Sequence, residues 1–143
     1  MMRKTFFLVL IAYFMLLGYW MLFGFGRIAG SMYMYNLEPF STIKHFLNFN
    51  KLNKNVWVIN LIGNIGVFIP FGFLIPLALK LSYLKSLGVF LIGLTLLEVS
   101  QLITKRGSFD VDDFILNSFG FILGYVVFKL MTMWVNSRRG GTI

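Results

Sequence analysis

Four apolar runs, each close to the ~20 residues needed to cross a bilayer, decide what this chain can become. They cover about residues 5–25, 56–79, 86–103 and 113–135. Composition agrees: 58% of the 143 residues are hydrophobic and 13% are charged, where a soluble domain carries about 25% charged residues. A core this small cannot hide so much apolar surface, because small domains leave a large share of their surface wet. The solvent around it must be lipid. Lipid offers no partner to a bare backbone N–H or C=O, so the spans must be helices that satisfy their own groups. The expectation is a single all-α domain over residues 1–143, a polytopic membrane protein with four transmembrane helices.

The first run, TFFLVLIAYFMLLGYWMLFGF, follows Arg3 and Lys4 and competes with a signal peptide. A signal core has about 7–15 apolar residues and ends in small ones; this run is longer and aromatic, and the IAGS after it is a poor cleavage site. An uncleaved span is expected. The short link KLSYLKS between the second and third runs favours an antiparallel hairpin. The only long connection is residues 26–55, where STIKHFLNFN puts Ile43, Phe46 and Leu47 on one helical face. That pattern predicts a short helix lying in the interface, with Tyr33, Tyr35 and Trp57 as headgroup-level anchors. His45, beside Lys44, reads as a solvated histidine.

The formal charge is +8, but the basic residues stand singly or in pairs at the ends of apolar runs. That is a membrane-flank arrangement, and no nucleic-acid partner is expected. The N-terminal tail and the hairpin link are basic and free of acids, which places both termini in the cytoplasm by the positive-inside rule. There is no cysteine, so disulfides and thiolate metal sites are excluded, and no cofactor is implied.

The polar residues inside the spans are few and concentrated. Of five carboxylates, four fall at Glu98, Asp110, Asp112 and Asp113. In a four-span chain the start of the second span, the end of the third and the start of the fourth share one face. Asn60 and Asn64 stack at the first of these places, since residues four apart are helix neighbours. Pro70 and Pro76 follow, each four residues after a glycine, which predicts a kinked helix with freed carbonyls. Glu98, Gln101 and Lys105 form a stripe on the third span. A charge in mid-membrane costs roughly 2.5–3.5 kcal/mol by the lower estimates, so Glu98 must face inward, take a cation such as Lys105 or Arg106, or hold a proton. On the fourth span Asp113, Asn117, Gly120 and Gly124 form another stripe. GFILG is a GxxxG pattern that lets two helices approach closely. One acid, with Asp112 the leading choice, is explained by capping its own helix; pairing with Arg106 or a divalent cation are the competing roles for the others. These groups could line a polar pocket or close into an internal clasp of three helices.

NLEPFSTI (36–43), NLIGNIGVFIPFGFLIP (60–76), EVSQL (98–102) and RGSFDVDDFILNSFGFILGY (106–125) together resemble the VanZ-like family of bacterial membrane proteins. The Glu-x-x-Gln, Arg, Asp-x-x-Asp, Asn-x-x-Gly pattern falls on Glu98, Gln101, Arg106, Asp110, Asp113, Asn117 and Gly120. The resemblance implies a small helical protein of the bacterial cytoplasmic membrane; the family's namesake is linked to resistance to teicoplanin, a glycopeptide carrying an acyl chain. No established reaction comes with it.

The leading expectation is a binding protein of the cell envelope. Its pocket, built from Asn60, Asn64, Glu98, Gln101, Arg106, Asp110, Asp113 and Asn117, would take a lipid-linked wall precursor or a lipoglycopeptide, with membrane lipids as its other partners. The competing readings are an enzyme that remodels an envelope lipid or wall fragment, a proton-coupled carrier, and a structural subunit. Without a serine-nucleophile motif, a cysteine or a histidine cluster, no catalytic residue is assigned. A carrier would need an oligomer, since four spans are too few to alternate access alone.

Overall fold

The computed structural model describes residues 2–47 and 61–140. Helix α1 (Met2–Phe23) ends in a 3-10 turn, Gly24–Gly26. Strand β1 (Met34–Asn36) and the short helix α2 (Ser41–Leu47) occupy the long connection. Helix α3 (Leu61–Leu79), α4 (Tyr83–Thr104) and α5 (Val111–Gly140) follow, with β2 (Ser108–Asp110) between the last two. Among the described residues, four helices are long and apolar enough to cross a membrane: α1, α3, α4 and residues 111–138 of α5. Only 11–33% of each apolar window is buried inside the protein, so most of the apolar surface faces outward. Lipid is the solvent that permits this.

The spans alternate in direction. Arg3, at the start of α1, donates from Nε to the carbonyl of Ala78 near the end of α3 at 3.0 Å. The α3–α4 hairpin turns on Lys80, whose left-handed backbone (φ 56°) caps α3 by an N–H bond to Pro76. The core is aromatic and runs through three helices: Phe68 meets Phe90 edge-on at 5.8 Å, and Phe90 stacks on Phe121 at 4.7 Å. Such ring pairs contribute about 0.5–1.5 kcal/mol each beyond their buried area.

The two prolines of α3 act differently. Pro70 interrupts the helix at Val67–Phe68, while Pro76 remains inside the regular stretch Ile69–Leu79. Pro70 has no N–H to give, and the Phe71 N–H bonds Phe68 at 3.2 Å in place of its helical partner Val67. The carbonyl of Val67 is thereby released, and it accepts the Tyr13 hydroxyl from α1 at 2.8 Å. A broken backbone in a span must find such a partner from its neighbours.

The small sheet is an addition to the all-helical expectation. β1 and β2 pair in parallel, Met34 with Ser108, Tyr35 with Phe109 and Asn36 with Asp110. The prohibition on open strand edges holds in lipid; this ladder lies outside the four spans.

Candidate functional site

The acids of DVDD serve three different elements. Asp110, the last residue of β2, accepts the N–H of Asp112 at 2.9 Å and is the N-cap of α5. Its carboxylate also takes the Thr42 hydroxyl at 2.5 Å and the Asn36 amide at 3.3 Å, joining β1 and α2 to the same point. Asp112, fully buried, reaches across to α2 and accepts the N–H groups of Phe40 at 2.5 Å and Ile43 at 3.0 Å. The expectation that Asp112 caps its own helix is therefore corrected. The capping position is the residue just before the first turn, and Asp112 is already inside that turn with its side chain aimed at a neighbour. Asp113 accepts the Asn64 amide at 2.7 Å, tying α5 to α3. Pointing three ways, these acids do not converge on one point, and among the described residues no three such groups are placed to hold a metal ion.

The cations are also arranged otherwise than the sequence suggests. Lys105 donates to the Ser31 carbonyl at 3.2 Å and lies over the Tyr33 ring. Arg106 donates to the Arg27 carbonyl at 3.0 Å and stacks over Phe23. Neither is the partner of Glu98, and Arg106 does not pair with the acids of DVDD. The cation that acts electrostatically on both Glu98 and Asp113 is Arg27. Its Nη1 donates to the Met21 carbonyl at 2.9 Å and to the Arg106 carbonyl at 3.3 Å. Met21 lies in the last turn of α1, where carbonyls lack helical donors; the Gln101 amide supplies a second bond to it at 3.0 Å. In the sequence Arg27 is one of the basic residues at the ends of apolar runs and reads only as a flank.

These groups surround a cavity of about 430 Å³ at the face away from the termini, within the usual range of ~300–1,000 Å³ for small-molecule sites. Asn64, Glu98, Gln101, Arg106, Asp110, Asp113 and Asn117 all line it, together with Arg27, Lys105 and Thr42. Asn60, the eighth residue assigned to the pocket, lies outside the described residues, as does Trp57. Gly120 and Gly124 stand deeper on α5, against the backbone of α3 at Ile65 and Ile69. Arg27, Asn36, Thr42 and Asp112 were not assigned to the site; Asn36 and Thr42 fall within NLEPFSTI, whose polar residues gave the available signal.

Two buried atoms in the cavity wall have no partner among the described residues. Glu98 is 1% exposed and Asn117 is 2% exposed, yet Glu98 Oε2 and Asn117 Oδ1 accept no hydrogen bond from them. A buried polar atom left unpaired costs about 1–3 kcal/mol, and both of these lie in the wall of the same hollow. The carboxyl groups of Glu98 and Asp113 also act on each other across it.

No curated protein and no solved structure matches the chain. A family model, VanZ/LLP1, matches residues 5–132, a stretch that holds most of each span and every group in the cavity wall. The chain belongs to the VanZ-like family.

Proposed function

We propose that this protein binds the polar headgroup of an envelope amphiphile, a lipid-linked wall precursor or a lipoglycopeptide, and contributes to tolerance of teicoplanin-type antibiotics. The protein sits in the cytoplasmic membrane with both termini inside, so that the cavity opens on the outer face. The observation that carries this reading is the pair of unpartnered oxygens, Glu98 Oε2 and Asn117 Oδ1, in a cavity of about 430 Å³. Arg27 and Arg106 give its wall positive charge beside the carboxyls of Glu98 and Asp113, so it offers both signs to a zwitterionic or sugar-bearing group. The helix walls below it are apolar and open to lipid, as an acylated ligand requires. Expression in a teicoplanin-sensitive host tests the reading: the wild-type chain raises the inhibitory concentration, and Glu98→Gln with Asp113→Asn removes the gain. Full protection by the double variant would refute the site.

The Glu98–Asp113 pair supports a second reading, an enzyme that remodels an envelope lipid or wall fragment. Two carboxyls sharing one hollow beside an arginine can divide the roles of acid and base, with Arg27 placed to stabilise negative charge. Mass spectrometry of envelope lipids separates the two readings, since catalysis yields a product mass that depends on Glu98 and binding yields none. The carrier reading gains no support, because below Asn117 the core is closed by Phe90, Phe121, Ile75 and Ala78.

A further inference from the structure

A second hollow, apolar and about 190 Å³, lies between α1, α3 and α4. Phe68 lines both it and the polar cavity, so the two meet at that ring. Each of the three helices passes from one to the other in the same order. On α1 the groove includes Phe14 and the cavity begins at Leu17; on α4 the groove ends at Leu97 and the cavity begins at Glu98. On α3, which runs the other way, Phe71 belongs to the groove and Asn64 to the cavity. Above these, at the rim, stand Arg27, Lys105 and Arg106.

Along the helices three zones follow one another: apolar groove, unpartnered oxygens, cations. The amide carbonyl of Asn117 only accepts hydrogen bonds, so the middle zone calls for a donor. The rim calls for an anion rich in acceptors, and phosphate fits clustered arginine and lysine best. We propose that the cavity also takes a single-chain phosphate amphiphile with a free hydroxyl between tail and phosphate, the chemistry of a lysophospholipid. This rests on the headgroup-binding reading and adds a ligand class to it. A second acyl chain esterified to that hydroxyl would remove the donor and leave the Asn117 carbonyl unsatisfied.

Equilibrium binding to the purified full-length protein in phosphatidylcholine nanodiscs, read by native mass spectrometry, tests the order of the zones. The probes are palmitoyl lysophosphatidic acid, its analogue with hydrogen in place of the hydroxyl, and dipalmitoyl phosphatidic acid. The first is expected to bind saturably at one per chain, and the other two at least about tenfold more weakly, the cost of a buried acceptor left unpaired. Arg106→Gln should weaken the hydroxyl and deoxy probes in equal proportion, whereas Asn117→Leu should narrow the gap between them. Equal binding of the three probes by the wild-type chain, a comparison that needs no variant to fold, overturns this proposal and leaves headgroup binding standing. Failure of all three to bind overturns it too, and the susceptibility test then judges the broader reading alone.

Discussion

Replacing Gly124 by alanine should damage this protein more than any other change of one methyl group in α5. An added Cβ there would fall on the carbonyl oxygen of Ile69 and stand 3.1 Å from the Cα of Gly72. Neither obstacle is the movable tip of a side chain; both are backbone of α3. The neighbours give no room, because Gly120 rests on the Ile65 carbonyl and Gly72 on the Phe121 carbonyl, so the helices can separate only by loosening all three contacts. Overpacking a well-filled core costs about 1–3 kcal/mol, and backbone obstacles put this site at the upper end. The better helix propensity of alanine returns about 1 kcal/mol. The net loss is about 2 kcal/mol, or roughly 30-fold in the ratio of folded to unfolded protein. Gly88 in α4 is the control: nothing stands within 4 Å of a Cβ built there, so Gly88→Ala should be neutral or stabilising by up to about 1 kcal/mol. Graded unfolding by dodecyl sulfate in mixed micelles measures both. Wild-type stability for Gly124→Ala, or an equal loss for Gly88→Ala, would refute the claim that backbone contact sets the α3–α5 distance.

Asp112→Ala removes the acceptor of two backbone N–H groups at the start of α2; bonds to a charged group contribute about 1.5–3 kcal/mol each. Hydrogen exchange should accelerate by tenfold or more over residues 40–44 and stay unchanged in α4. Tyr13→Phe deletes the bond to the Val67 carbonyl, and the same unfolding assay should register a loss of about 0.6–1 kcal/mol; no change would mean that water replaces the hydroxyl. Because the chain has no cysteine, single cysteines placed at Asn64, Glu98 and Asn117 can be labelled without background. A membrane-impermeant thiol reagent should reach all three from the side opposite the termini, and reaction from the terminal side would contradict the proposed orientation.

The four spans were legible because a run of about 20 apolar residues has few other destinations. The shared face of Asn64, Glu98 and Asn117 followed from counting crossings. What the sequence did not reveal was the pairing of side chains within that face. Asp110, Asp112 and Asp113 are near neighbours along the chain, but the strand-to-helix transition at Val111 turns each toward a different element, and no spacing rule announces that. Arg27 escaped notice because a lone arginine after a span is the ordinary flank. Its role depends on the 3-10 turn that swings it back over Met21. The β1–β2 ladder is three residues per strand, too short to leave an alternating pattern. Of the two prolines only Pro70 breaks its helix, a difference that both Pro-with-upstream-Gly signals concealed.

Asp112 holds the long loop by its main chain. The two N–H groups it grips belong to Phe40 and Ile43, and every amino acid but proline carries that group. Phe40 itself is half exposed with a left-handed backbone (φ 64°), a conformation that glycine adopts more easily. The attachment is thus indifferent to which side chains the loop displays. The outward side chains of residues 37–43 can therefore change while the loop stays fastened to α5 in the same register, so long as Asn36, Thr42, Asp110 and Asp112 stay in place.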